Sequence, residues 1–514
     1  MTYIKKSNIC NHSNTYIKLL TQDTKKKSHK KSHTTSSDSS SYTKYKKYIS
    51  TLSNQFIISQ NTLLTSLFKI KNDTHFTITY KELSLEDTTL DASINKYKIP
   101  KFIDIFRYLI SIPDFNNKFT LEEQTLLKHK LSNKYSKSQC YTFLDTSTVG
   151  TKFLSVYNNL EFNDLIMVNL NLNYPSLTFH KLLINSFTSY KILEDLELNI
   201  KSLILYSIVY EGQTLNNFVY LFRYDNDKTQ HHSTTILDLG KDIIKRILFF
   251  NTFLNNKLYP DKFIIFLTNN KKEIDKELRE HIHFKTINVN TAVTNGHDII
   301  IYREQELLKS IFHELIHFHN LDFRHISPHI LNNIINYLIN THNIKSNNEY
   351  LLYECITETL ANILNNIYYS KTLNEMSINL QHEIMFSTLQ ISKILHICKY
   401  KKWNQFTYMN TKHSATSNPA KDISKQFKQD SCVFSYYILK LYIFLNLDTY
   451  FKQVLDHKMK FIQTKKSFDI LIHIFDSSRK NIVLEQIMNS ILKGLNKKTK
   501  DSKEIHHTLR MTCL

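Results

Sequence analysis

His313-Glu314-Leu315-Ile316-His317 is the stretch of this chain whose residue types and spacing state a chemistry. Histidines at i and i+4 lie on one face of a helix, so both imidazoles can reach a single divalent ion. The glutamate after the first histidine faces the open side of such an ion. There it can take a proton from an activated water and pass it to a leaving amine. The plain alternative is two surface or capping histidines on an amphipathic helix, and the pentapeptide alone does not separate the two.

The elements that must position these residues are legible around them. Leu307, Leu308, Ile311, Leu315 and Phe318 recur at spacings of three and four, which predicts a helix with an apolar stripe beside the histidines. Asp298-Ile299-Ile300-Ile301-Tyr302 is a β-branched run that predicts a strand. Ile287 to Val293 reads as a second strand, with a turn at Asn295-Gly296. Strand, turn, strand and metal helix is the order expected if a substrate backbone pairs along a sheet edge above the metal.

A catalytic metal needs a third protein ligand. An HExxHxxGxxH continuation is excluded, because Asn320 and Phe323 occupy its glycine and histidine positions. Asp322 is one residue off the position where an aspartate could substitute, and His319 and His325 fit no standard register. Glu354 and Glu358 lie one turn apart on a helix expected from about Glu349 to Tyr369. Their face is otherwise apolar (Leu351, Leu352, Ile356, Leu360, Ile363, Leu364, Ile367), and carboxylates there are costly unless paired or bound to a metal.

HELIH followed by Glu358-Thr359-Leu360-Ala361 resembles the gluzincin metallopeptidases, whose second helix supplies a zinc-binding glutamate in an ExxA or ExxAD pattern. Asn362 stands where the longer form has Asp. The resemblance implies a Zn²⁺ site with His313, His317 and Glu358 as ligands. It implies Glu314 as general base and acid, and a peptide or protein substrate. Glu354 is the rival third ligand, or else a residue that orients a histidine from behind. A narrower resemblance, to metallopeptidase-like proteins of large cytoplasmic DNA viruses, covers the middle and later part of the chain. It rests on Asn288–Thr291, Ile299–Arg303, Lys309, HELIH, Leu321-Asp322, Glu383–Ser387 with Gln390, and Phe434–Tyr437. Gluzincins commonly stabilise the oxyanion with a Tyr, His or Arg beyond the glutamate helix. Tyr436 and Tyr437, on a helix expected from Cys432 to about Leu447, are the candidates here. In a chain with 30 tyrosines the plain reading of such a pair is core or interface filler. His281, His283, His396 and His506-His507 read as surface residues.

At 514 residues, 41% hydrophobic and 12% aromatic, the chain is globular and long enough for two or three domains. Five glycines amid abundant Asn, Ile, Lys and Tyr reflect the coding bias of an AT-rich genome more than function. The net charge of +20 sits mostly at the ends. Residues 1–50 hold eleven Lys against two Asp, and residues 493–514 hold six Lys or Arg against two acids. The Ser/Thr/His/Lys-rich stretch from Thr21 to Lys47, with Lys25–Lys27 and Lys30-Lys31, lacks the apolar residues to fold. Such an arm suits weak, non-specific polyanion binding rather than sequence recognition.

No secretory leader is visible at the start. The most apolar late stretch, Val433 to Leu447, is short, contains Lys440, and predicts no membrane span. Six scattered cysteines without a CxxC pair suggest reduced thiols, and hence an intracellular protein in the host cell or virion. Cys355 is phased away from Glu354 and Glu358.

The expected fold class is α+β. It comprises a disordered basic arm (1–50), an α+β accessory region (51–200, including Phe102–Phe106), a zincin-like catalytic region (201–495) with a mixed sheet before a helical half, and a basic tail (496–514). Strands are expected at Ser202–Tyr206, Phe218–Phe222 and Lys262–Leu267, and a helix from about Leu237 to Phe253. The functional expectation is zinc-dependent peptide hydrolysis. Its rivals are a catalytically silent zincin-fold structural or virion-associated protein, and a polyanion binder acting through the arm.

Overall fold

Glycine-poor apolar runs build a mixed sheet first and a helical half after it. The computed structural model describes residues 6–21, 40–84, 117–131, 135, 137–158, 200–224, 233–256, 258–294, 296–323, 326–342, 344, 350–407, 427–495 and 507–514. The lysines of 25–31, the run Phe102–Phe106, Asn295, His325, His506 and residues 496–506 lie outside the described residues.

The sheet strands are β1 (Thr77–Ser84), β2 (Ile200–Tyr210), β3 (Gln213–Tyr224), β4 (Lys262–Phe266), β6 (Ala292–Thr294) and β7 (Asp298–Ile301), in the order β1-β2-β3-β4-β7-β6. β5 (His283–Phe284) and β8 (Lys428–Gln429) form a separate parallel pair. β4 is central and parallel to both β3 and β7, and Phe263 to Phe266 are all buried, as a strand covered on both faces requires. β6 runs antiparallel to β7 and forms one edge of the sheet. Gly296, between β6 and β7, has φ +91°, a conformation glycine adopts without strain.

The expected strand over Ile287–Val293 is corrected to a short helix, Thr286–Val289, followed by β6. Asn288 is the reason. Its Oδ1 accepts from Lys285 N at 3.0 Å and its Nδ2 donates to Glu273 O at 3.2 Å, which curls the backbone before the strand can begin.

The helix Ser233–Leu254 links β3 to β4 and lays Phe249 and Phe250 against Phe312 of the HELIH helix, Leu307–Phe318, at ring-centroid distances of 6.0 and 6.3 Å. Every residue of the HELIH helix is buried. Its seven apolar side chains each contribute about 1.5–3 kcal/mol by burial, which makes it a core element that displays a site. The glutamate helix, Tyr353–Tyr369, packs along it. A π-helical segment, Phe434–Leu439, closes the far side and runs into the helix Lys440–Phe444. The helix expected from Cys432 to about Leu447 is present as one helical run from Val433 to Phe444, π-helical over Phe434–Leu439, and a separate helix, Leu447–Gln453, follows.

The structure differs from the expected domain layout at both ends and at residue 200. Lys6–Thr21, inside the supposed disordered arm, is a helix with Tyr16, Ile17 and Leu20 buried against the helix Ile482–Leu495. Gly494 permits that approach, because a Cβ there would lie 2.3 Å from Leu20 O. Ser41–Ser59 is helical as well and packs on the helix Leu373–Ile397. β1, from the supposed accessory region, pairs along its whole length with β2. Residues 508, 509 and 511–513 of the supposed tail are buried. Among the described residues no helix is long and apolar enough to cross a membrane. Cys140, Cys355, Cys398, Cys432 and Cys513 are buried, and none of them is in a disulfide among the described residues.

Candidate metal centre

The i,i+4 spacing stacks His313 and His317 with ring centroids 4.8 Å apart, and the glutamate helix brings a carboxylate to both. Glu354 Oε2 lies 3.2 Å from His313 Nε2 and 3.3 Å from His317 Nε2, with all three side chains nearly buried. Among the described residues, His313, His317 and Glu354 form the group of potential ligands whose donor atoms all lie within 4.8 Å of one another.

The rear nitrogen of each histidine is held by a different carboxylate. His313 Nδ1 is 3.0 Å from Glu358 Oε2, and His317 Nδ1 is 2.5 Å from Asp322 Oδ2. An Nδ1–H donated to a carboxylate leaves the Nε2 lone pair free to ligate and fixes the ring plane. Despite its short distances, Glu354 Oε2 has no contact aligned as a hydrogen bond. A buried carboxylate oxygen and two imidazole lone pairs converging without hydrogen-bond alignment is the arrangement a cation requires. The donor set therefore fits a metal ion.

Of the two candidate third ligands, Glu354 faces both Nε2 atoms, while the leading candidate, Glu358, faces His313 Nδ1. Glu358 is fully buried and its oxygens are engaged elsewhere: Lys309 Nζ at 3.0 and 2.8 Å, Asn362 Nδ2 at 2.9 Å, and His313 Nδ1. Lys440 Nζ lies 3.7 Å away. Burial alone would raise the pKa of Glu358, but the attraction of Lys309 first, then the bond from His313, holds it well below the usual carboxylate range. Lys309 gains correspondingly. Burial opposes its charge, and Glu358 and Glu306 outweigh that effect and raise its pKa.

Glu314 lines a cavity of about 30 Å³ together with His313, Glu358, Lys309, Tyr436 and Met511. Asn290, Thr291 and Ala292, at the entry to edge strand β6, form another wall. That volume holds about two water molecules. The paired tyrosines separate. Tyr436 lines this cavity with its ring centroid 6.0 Å from that of His313. Burial, reinforced by Glu354 and Glu314, pushes its phenol well above the ordinary value, so it stays a proton donor. Tyr437 does not line this cavity, and its hydroxyl donates to Leu509 O. Cys355 turns away as expected, its thiol donating to Leu352 O at 2.9 Å.

Four residues of the surroundings carried no assigned role in the sequence. Asp322, off register as a ligand, orients His317 instead. Glu306 caps the start of the HELIH helix with φ +65°, and its carboxylate accepts from Lys272 Nζ at 2.6 Å, Met511 N at 2.6 Å and Thr512 N at 2.7 Å. Lys440 Nζ donates to Met511 O at 2.6 Å. Met511 itself comes from the last eight residues, which no spacing rule connects to a site near residue 313. No protein-family model matches the chain, and neither a curated protein nor a solved structure matches it.

Proposed function

We propose that this chain is a zinc-dependent peptidase of zincin type, with His313, His317 and Glu354 as the metal ligands. The observation that carries the reading is the division of labour on each imidazole: Nδ1 held by a carboxylate, Nε2 turned to Glu354. A Zn²⁺ ion held there would supply Lewis acidity, activating a water for attack on a carbonyl. Glu314, one residue from a ligand and in the same small cavity, is placed to accept the proton from that water and to return it to the leaving amine. Tyr436, protonated and buried beside His313, is placed to donate a hydrogen bond to the developing oxyanion. Edge strand β6, whose approach residues Asn290–Ala292 wall the cavity, offers backbone groups along which an extended peptide can align.

The test is hydrolysis of a denatured-protein digest and a mixed peptide library by zinc-loaded wild type, Glu314→Gln and Tyr436→Phe, with cleavage read by mass spectrometry. The proposal expects wild-type cleavage, a loss of 10²-fold or more in Glu314→Gln, and an intermediate loss in Tyr436→Phe. Metal-loaded wild type that cuts nothing, or equal cutting by Glu314→Gln, would overturn it in favour of a catalytically silent fold.

A further inference from the structure

Away from the metal centre, a cavity of about 470 Å³ opens where the end of the helix Leu373–Ile397 meets the short helix Lys276–His281. Its volume is in the range of small-ligand sites. Its lining is unusually one-sided in charge: Arg279, Lys393, His396, Lys399 and Lys401, with no carboxylate among the described lining residues. The rest is apolar, from Ile274, Ile397 and the ring of buried Tyr400. The last turn of a helix favours cations through its dipole, which accounts for Arg279 and His396. Lys399 and Lys401 lie beyond any helix, and Lys393 is buried, with its Nζ 2.5 Å from Thr508 O.

We infer that this cavity binds a small phosphate ester, its dianion held by Arg279, Lys393 and Lys401 and its apolar body lying against Ile274, Ile397 and Tyr400. The three exposed cations, Arg279, Lys399 and Lys401, exceed what one carboxylate needs and suit a doubly charged oxyanion. The apolar half gives a reason to prefer an ester over the free ion. Burial pushes the pKa of Lys393 well below the ordinary lysine value, and a neighbouring dianion would relieve that strain on its charge. The inference does not depend on the metal centre.

The experiment is calorimetric titration of the full chain with phenyl phosphate, inorganic phosphate and a short single-stranded oligonucleotide. Wild type is compared with Arg279→Ala/Lys401→Ala and with Lys465→Ala/Lys466→Ala, a pair of exposed lysines elsewhere that lowers net charge equally. Expected are saturable one-to-one binding of phenyl phosphate at least tenfold tighter than inorganic phosphate, a loss of tenfold or more in the Arg279/Lys401 variant, and no change in the control. All four substituted side chains are exposed, so folding is not at stake. Absence of saturable binding to wild type, equal weakening in both variants, or binding of the oligonucleotide alone would overturn the inference.

Discussion

Each imidazole of the candidate metal centre faces two partners, and its two nitrogens divide them. Nε2 faces Glu354, while Nδ1 is tied to Glu358 in His313 and to Asp322 in His317. Removing a rear partner therefore weakens metal binding without removing a ligand. Asp322→Asn is expected to lower zinc affinity about 10–100-fold with the fold intact, read by competition with a chelator. An affinity equal to wild type would show that Asp322 does not orient His317. Much of this geometry was legible at the residue level: the two histidines on one helix face and a carboxylate from the neighbouring helix follow from spacing. The choice between Glu354 and Glu358 was not, because both lie on one stripe a turn apart. Lys309 decides it. Four residues before His313 on the same face, it is buried and takes Glu358 into an ion pair. A buried lysine at that spacing was the available signal.

At the scale of elements, apolar periodicity located the HELIH helix, β2, β3, β4 and β7 to within a few residues. It failed where a side chain bonds to backbone, as Asn288 does, and where two backbones touch. Gly494→Ala is expected to destabilise the protein by about 1–3 kcal/mol in denaturant unfolding, since its Cβ would collide with Leu20 O. An unchanged midpoint would show that the N-terminal helix is not seated as described.

A second element contact gives the protein an acid limit. His342, at the end of the helix Pro328–Thr341, is wedged between Leu338 O at 3.2 Å and the Tyr442 hydroxyl at 2.9 Å, and burial pushes its pKa down to about 3. The unfolded chain protonates this histidine near pH 6.5, so stability is complete above that value and declines as pH falls toward 3. The expected slope from this residue is about 1.4 kcal/mol per pH unit. Melting temperatures from pH 7 to 4 should fall, with a shallower dependence in His342→Gln. An identical pH dependence would remove His342 as a cause.

For the whole molecule, the largest departure from the sequence reading is that its ends are part of the core. Charge density marked residues 496–514 as a basic tail. Nothing in their composition signals that Glu306 and Glu383 both accept backbone N–H donors from residues 511–514. Deleting residues 507–514 withdraws those donors from two buried carboxylates. It is expected to cost about 3 kcal/mol or more, visible as a lowered melting temperature, where loss of a solvated tail would cost nothing. The same segment bears on access. A cavity of about 30 Å³ admits water and excludes a peptide, so the proposed substrate enters only if a wall moves, and Met511 and Asn290–Ala292 are among the walls. Met511→Ala is expected to raise kcat/KM for small peptides with little change in metal content. A decrease would make Met511 a substrate contact instead.

The central claim is that His313, His317 and Glu354, not Glu358, hold one metal ion. Elemental analysis of purified wild type, Glu314→Gln, Glu354→Gln and Glu358→Gln tests it most directly. About one zinc per chain in wild type and Glu314→Gln, near-complete loss in Glu354→Gln, and only weakened retention in Glu358→Gln is the expected result. Full zinc in Glu354→Gln with loss in Glu358→Gln, or no zinc in well-folded wild type supplied with the ion, would contradict it.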